Sequence, residues 1–213
     1  MKEILRYMGL HESPDEQTLQ LIQDCLAEVN AVASPRHCYR QYLLEFEDGF
    51  PAIAGHVFKS RNLAKNLRGC THAYIMAATL GNGVDRLLRR HEVSSMSRAM
   101  ACQAIAAAKI EETCNAVNHE IAQHASRFHL YMRPRFSPGY GDLDLSTQKD
   151  VFELLDITRE IGVALTSRMV MSPTKSVTAI IGASYEKTPC VMQGCEACAA
   201  SDTCLFSRKG ENK

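Results

Sequence analysis

The chain has 213 residues, 46% of them hydrophobic, and its 24 basic residues balance 24 acidic ones, so its formal net charge is zero. A neutral chain has no electrostatic attraction for a polyanion, which argues against nucleic acid as the partner. No apolar run reaches the roughly 18 residues that a membrane helix needs, and the N-terminus lacks a signal-peptide pattern, so we expect a cytoplasmic protein with no membrane partner.

Helical periodicity is present in five segments of the chain, which suit packing against a sheet. Two of these segments begin at serines that we expect to act as caps, Ser13 (with Glu16 completing a capping box) and Ser146. Helices are predicted over 14–31, 60–67, 83–91, 95–126 and 146–156. In the longest helix an apolar stripe is formed by Ile105, Ile110, Cys114, Val117 and Ile121.

Strand patterns lie between these helices and are rich in branched and aromatic residues. Strands are predicted over 38–46, 71–81, 128–132, 162–171 and 175–183. The segment 47–55 is predicted to be a turn, and Ser172-Pro173 is expected to interrupt a pair formed by the last two strands. The predicted fold class is therefore α+β, with an antiparallel or mixed sheet packed against helices that include one long helix.

The loop after the long helix contains more specialised residues than a turn requires. Its sequence is RPRFSPGYGD, and Pro138-Gly139 makes a tight turn in which Gly139 can adopt positive φ. Arg135 and Tyr140 can fold towards one pocket, where a guanidinium can hold a carboxylate and a tyrosine can stack or hydrogen-bond. A plain Pro-Gly turn with solvated arginines fits the residues equally well.

This loop, together with the later segments LSTQKDVFELLD, IGVALT and MSPTKSVTAIIG, resembles the activation domain of cobalamin-dependent methionine synthase. The resemblance is greatest to the stand-alone bacterial versions and covers roughly residues 70–182. It implies a loop that binds S-adenosylmethionine, and the residues that match the family motif are Arg135, Phe136, Ser137, Pro138, Gly139 and Tyr140. Glu112 falls where the family places a helix glutamate near the same ligand, although Glu111 is its neighbour.

The resemblance also implies a function. In the family, a synthase whose cobalamin has been oxidised is remethylated with one electron and a methyl group from S-adenosylmethionine, so the domain contributes positioning and needs no catalytic acid, base or nucleophile. The expected protein is an accessory subunit that docks on the corrinoid-binding synthase subunit, which holds the cobalamin. An electron donor such as flavodoxin or ferredoxin is also expected. The first 60 residues depart from the large enzyme, and its upstream acidic ligand-contacting segment has no counterpart here.

A second unit is predicted at the C-terminus, so we divide the chain into a body over 1–185, whose N-terminal region is 1–69, and a tail over 186–213. Four cysteines of the tail lie within fifteen residues, a spacing that favours a metal site in a reducing compartment. They are Cys190, Cys195, Cys198 and Cys204. Only one C-x2-C knuckle is present and reactivation needs an electron, so an iron–sulfur cluster is favoured, with zinc as the alternative.

Two other functions remain open from the sequence. The chain is compatible with a redox-sensing module that binds another adenosyl ligand and uses the cysteine tail as its sensor. It is also compatible with a protein that reactivates a different corrinoid methyltransferase. Recovery of methionine synthesis by an oxidised partner synthase is the observation that separates all three hypotheses.

Overall fold

A computed structural model describes residues 1–10 and 13–187 of the chain. The helices are α1 (Lys2–Tyr7), α2 (Glu16–Val32), α3 (Arg61–Asn66), α4 (Asn82–Ser94), α5 (Met96–Ser126), α6 (Gln148–Leu155) and α7 (Ile157–Ile161). The strands are β1 (Arg36–Glu47), β2 (Phe50–Ile53), β3 (His56–Val57), β4 (His72–Thr79), β5 (Tyr131–Met132), β6 (Ala164–Leu165), β7 (Met171–Ser172) and β8 (Ser176–Ser184). None of the helices in this described part has the length and apolar character needed to cross a membrane.

Six strands form one sheet in the order β3-β2-β1-β4-β8-β5, and every neighbouring pair is antiparallel. The predicted α+β class is confirmed, with the sheet antiparallel rather than mixed. The 31-residue α5 is the predicted long helix, and its apolar stripe is buried as expected. The Cys-rich module of the predicted fold, with Cys190, Cys195, Cys198 and Cys204, lies outside the described residues.

Two hydrophobic clusters lie on opposite faces of the sheet. On the first face, which we call the helical face, α1, α2, α4 and α5 pack over side chains such as Tyr74, Met76 and Ile181. On the second face, which we call the loop face, α3, α6 and α7 pack with the loop residue Phe136 over Ile75 and Ile180. Since alternate residues of a strand point to opposite faces, β4 and β8 supply both clusters and read as continuous apolar runs.

The prediction was wrong at two helix starts. Asp15, not Ser13, caps α2, because its carboxylate accepts a hydrogen bond of 2.8 Å from the Thr18 amide, and the expected capping box does not form. Ser146 lies inside a single 3-10 turn, and Asp144 instead accepts from its amide. Serine and aspartate are both good caps, so the local pattern does not choose between close candidates.

One turn prediction and two strand predictions also need correction. The segment 47–55 contains β2 and a second tight turn as well as the expected first turn, and in the predicted strand 128–132 only the last two residues are extended. The predicted pair over 162–171 and 175–183 does not form: β6 pairs with β7 in a small hairpin, whereas β8 enters the main sheet between β4 and β5. Strand partners are set by long-range packing, which sequence spacing does not report.

Candidate functional site

The RFSPGY loop crosses the edge of the sheet beside β8. Phe136 forms an isolated antiparallel bridge with Ile180, in which each amide donates to the other residue's carbonyl at 2.9 and 2.8 Å. Ahead of it, the Arg133 amide donates to the Gly182 carbonyl at 2.7 Å. The loop therefore begins as an extension of β5, which fixes its position against a central strand.

The turn itself has the geometry expected of Pro-Gly. The Tyr140 amide donates to the Ser137 carbonyl at 3.1 Å, and Gly139 lies at φ 84°, as the third position of a type II turn requires. The Gly139 amide in turn donates to the Leu143 carbonyl at 2.8 Å. These bonds hold the predicted ligand loop in one conformation.

A carboxylate that the sequence analysis assigned no role anchors the far side of this loop. Asp142 accepts from the Ser60 hydroxyl and from the amides of Arg61 and Asn62, at 2.8 and 3.1 Å, so it adds to the cap that Ser60 itself forms with the Leu63 amide of α3. The hydrogen bond from Ser60, followed by those from the two amides, lowers the pKa of Asp142 below its ordinary value. The cap joins the loop to α3, and the lowered pKa keeps the carboxylate ionised further into the acid range.

Close approach of the loop to α3 also explains its second glycine. Gly141 has φ 59°, and a Cβ placed there would lie 2.7 Å from Nδ2 of Asn62. A side chain would therefore meet both backbone strain and a steric contact. From the sequence, Gly141 was expected to let a ligand approach the backbone; in the structure it is the Asn62 side chain of α3 that lies against it.

Arg135 points from the loop to the long helix α5. One of its guanidinium nitrogens lies 3.0 Å from Oε2 of Glu111 and 3.1 Å from Oδ1 of Asn115. Glu111 and Asn115 are four residues apart, so they share one face of the helix. The structure thus places an arginine, a carboxylate and an amide together on the surface between the loop and α5.

Glu112, the helix glutamate predicted from the family resemblance, is exposed. The glutamate that the structure brings to Arg135 is its neighbour Glu111. Successive residues of a helix are about 100° apart, so only one of the two can face the loop. The sequence does contain a signal for Glu111, because Glu111 and Asn115 are four residues apart and so form a polar pair on one helix face. Only the position of the loop shows that this is the face that Arg135 contacts.

Tyr140 is half-exposed, and its ring packs edge-on against Phe136, with the centroids 5.4 Å apart. Because Phe136 is buried on the loop face, it holds one edge of the tyrosine ring and leaves the rest accessible. Ser137 is partly buried and Pro138 is buried. The predicted residues 135–140 therefore form one surface, with Arg135 and Tyr140 as its accessible side chains.

Nucleophilic chemistry is not favoured beside this surface. Cys114 is buried in α5, and burial raises the pKa of its thiol to about 11, although the guanidinium of Arg135 acts in the opposite direction. The thiol is therefore protonated at neutral pH and is a poor nucleophile. The local chemistry suits binding and positioning.

A cavity of about 410 Å³ lies elsewhere, on the helical face between α1, α4 and α5. Its lining includes Met8, Met96, Met100 and Lys175 but none of the residues 135–140 and neither Glu111 nor Glu112. The cavity is thus separate from the loop surface. Residues 135–140 thus lie together on the loop surface and not at this cavity.

Comparisons with known proteins agree with the fold. Residues 72–189 match a family model described as vitamin B12 dependent methionine synthase, activation domain. A crystal structure of the MetH reactivation domain bound to AdoHcy is similar in fold, with a TM-score of 0.62 and 15% sequence identity over 90% of this chain and 79% of that chain. A search among curated protein sequences finds no match.

Proposed function

We propose a function for this chain that follows from its family. The chain belongs to the family of vitamin B12-dependent methionine synthase activation domains, because the family model matches more than half of the chain's length. In the proposal, the chain binds S-adenosylmethionine on the RFSPGY loop and supports reductive remethylation of a synthase's corrinoid cofactor. The matched segment contains both the loop and α5, which carry the proposed site.

The observation that carries the proposal is the pairing of Arg135 with Glu111 at the loop surface. S-adenosylmethionine has a carboxylate and an ammonium on adjacent positions of its amino-acid part, and an arginine beside a glutamate is the complementary pair. The Arg135 and Glu111 side chains are 22% and 43% exposed, so their mutual attraction is worth at most about 1 kcal/mol. A zwitterion can therefore separate them at small cost and take up both charges.

The two accessible ends of the loop suit different parts of this ligand. In this proposal Arg135 holds the carboxylate, and the exposed face of Tyr140 offers an aromatic surface to the adenine. The Pro138-Gly139 turn fixes the distance between them, so the chain orients the sulfonium methyl without taking part in its transfer. The solved MetH neighbour binds AdoHcy, the demethylated form of the same molecule, which supports the choice of ligand.

The corrinoid group would belong to the partner synthase subunit and would supply the cobalt that accepts the methyl group. The chain's own residues bind the methyl donor and present it to that subunit. Reactivation also needs one electron, for which a donor such as flavodoxin or ferredoxin is proposed. The reaction therefore requires three components, of which this chain is the one that holds S-adenosylmethionine.

We test the site by calorimetric titration of the protein with S-adenosylmethionine. Arg135→Ala removes the guanidinium that is proposed to bind the ligand's carboxylate, and it is expected to weaken binding by ~10-fold or more. Arg135→Lys keeps the positive charge but loses the planar guanidinium that can donate two parallel hydrogen bonds. Arg159→Ala removes an exposed arginine on α7 and serves as the matched control. Equal binding by wild type and Arg135→Ala would exclude this loop as the site.

A paired test decides which glutamate contacts the ligand. Glu111→Gln and Glu112→Gln make the same chemical change at successive positions of α5. If the ammonium lies against Glu111, the first variant weakens binding and the second leaves it unchanged. The reverse result would restore the prediction made from the family resemblance.

The complete function requires the partner. An oxidised synthase lacking its own activation domain should recover methionine formation when this chain, S-adenosylmethionine and an electron donor are added. Recovery by another corrinoid methyltransferase alone would assign the chain to that enzyme. Binding without recovery of either would favour the adenosyl-sensing alternative.

The cysteine tail is proposed to hold an iron–sulfur cluster that accepts or relays the electron, with Cys190, Cys195, Cys198 and Cys204 as ligands. Four thiolates suit this cluster or zinc. Anaerobically purified protein should contain iron and acid-labile sulfide and should absorb visible light. Colourless protein that contains stoichiometric zinc would contradict the iron–sulfur proposal and would indicate a zinc site instead.

A further inference from the structure

A cluster of metal-binding side chains lies away from the proposed ligand site, where the β2–β3 hairpin meets α6. It consists of His56 at the start of β3 and of Asp150 and Glu153 on α6. One potential ligand atom from each side chain lies within 4.8 Å of the other two. Among the described residues, this is the one place where three potential metal ligands lie this close together.

The fold brings these residues together from distant parts of the sequence. Asp150 and Glu153 are three residues apart and share one face of α6. His56 lies 94 residues before Asp150, and its Nδ1 is 3.0 Å from Oδ1 of that carboxylate. The sheet thus delivers an imidazole to a pair of carboxylates that the helix already holds side by side.

The dimensions suit a small divalent cation. Imidazole and carboxylate ligands bind such ions at about 2.0–2.2 Å, so two ligand atoms on one ion lie at most about 4.4 Å apart. The 3.0 Å distance between His56 and Asp150 already fits adjacent ligand positions. The three ligand atoms lie within 4.8 Å of one another, so a small rotation of the exposed Glu153 side chain is enough to bring them all within the limit of about 4.4 Å.

We propose that His56, Asp150 and Glu153 form a site for a first-row divalent metal ion, with water filling the remaining positions. One imidazole with two carboxylates suits manganese, iron(II), cobalt or zinc, whereas calcium and magnesium prefer oxygen ligands alone. The His56 and Asp150 side chains are 28% and 37% exposed, so the ion has access from solvent. The proposal is independent of the one made for the RFSPGY loop.

The site's position indicates what the ion would do. Gln148, at the start of α6, accepts a hydrogen bond of 2.7 Å from Thr178 in β8, so α6 is already anchored to the centre of the sheet. The β2–β3 hairpin lies at the sheet's edge and is short. A bound ion would cross-link this edge hairpin to the anchored helix and stabilise the folded chain.

The test is a titration of chelator-treated, full-length protein with Mn²⁺, followed by the electron paramagnetic resonance signal of the free ion. Manganese is chosen because it prefers oxygen and imidazole to the thiolates of the tail. We expect one saturable site per chain, and a loss of affinity of ~10-fold or more in His56→Ala and Asp150→Asn. The Glu45→Gln, Glu47→Gln double variant removes two exposed carboxylates from the neighbouring β1 and should bind as wild type does.

Thermal unfolding provides a second readout. Mn²⁺ should raise the melting temperature of the wild type and of the β1 control, but not that of Asp150→Asn. If His56→Ala is poorly folded without metal, Glu153→Gln, which changes an exposed side chain, takes its place in both measurements. Absence of saturable binding, or equal affinity in the wild type and all ligand variants, would overturn the proposal.

Discussion

The two faces of the central sheet are built in different ways. The helical face is covered by α5 together with α1, α2 and α4, whose side chains form a continuous apolar layer. The loop face is covered by short helices and by the RFSPGY loop, and polar side chains such as Asp142 and Gln148 hold these pieces in place. The residues proposed to bind the ligand therefore come from a short loop that is anchored to the sheet and from the long helix α5 beside it.

Adjacent isoleucines of β8 provide the sharpest test of this difference. Ile180 is buried on the loop face and Ile181 on the helical face, both without solvent exposure. Replacing either with alanine should lower the free energy of unfolding by about 2–5 kcal/mol, as measured by urea denaturation. Only Ile180→Ala should also weaken S-adenosylmethionine binding, since the Ile180 side chain belongs to the hydrophobic cluster that contains the loop residue Phe136. An equal loss of binding in both variants would contradict the separation of the faces.

A smaller effect is expected from the ionic network that joins the long helices. Glu28 of α2 accepts from Arg98 of α5 and, at 2.7 and 2.8 Å, from His91 and Arg90 of α4. The hydrogen bond from Arg98, then that from His91, lowers the pKa of Glu28 to about 2. Glu28→Gln should reduce the free energy of unfolding by about 1–3 kcal/mol, with Glu92→Gln on exposed α4 surface as the control.

The pH dependence of this effect follows from its sign. Because folding depresses the Glu28 pKa, the ionised carboxylate stabilises the protein fully above its ordinary pKa of about 4.3. That contribution disappears as pH falls through the folded value of about 2. The difference in stability between wild type and Glu28→Gln should therefore shrink from pH 5 to pH 2. A constant difference across this range would mean that the charge is not the cause.

On the loop face the corresponding polar anchor is Asp142, and its removal should have the smallest effect of the three. Asp142→Ala removes the acceptor of the Arg61 and Asn62 amides while leaving Ser60 as N-cap of α3, and it should cost about 0.5–2 kcal/mol. Because its pKa is lowered in the folded state, this contribution too is lost in acid, below about pH 4. Amide exchange at Gly139 and Leu143 should accelerate, which would show that the cap holds the loop. Unchanged exchange would assign the cap to α3 alone.

Local patterns in the sequence were sufficient for several parts of the structure. The alanine-rich composition and apolar stripe predicted α5 with its correct ends, and the continuous apolar run predicted β4. Pro138-Gly139 predicted the turn that the structure contains, because a proline followed by a glycine with positive φ favours that geometry without help from other segments. The motif also identified the family, since its residues are contiguous.

Tertiary structure decided the features that depend on distant residues. It placed β8 next to β4 instead of in a hairpin with its predecessor, it brought Asp142 to α3, and it turned Glu111 towards Arg135. It also assembled the cluster of His56, Asp150 and Glu153 from two segments that no motif connects. Propensity and periodicity describe neighbours along the chain, whereas these contacts arise from burying both faces of one sheet at once.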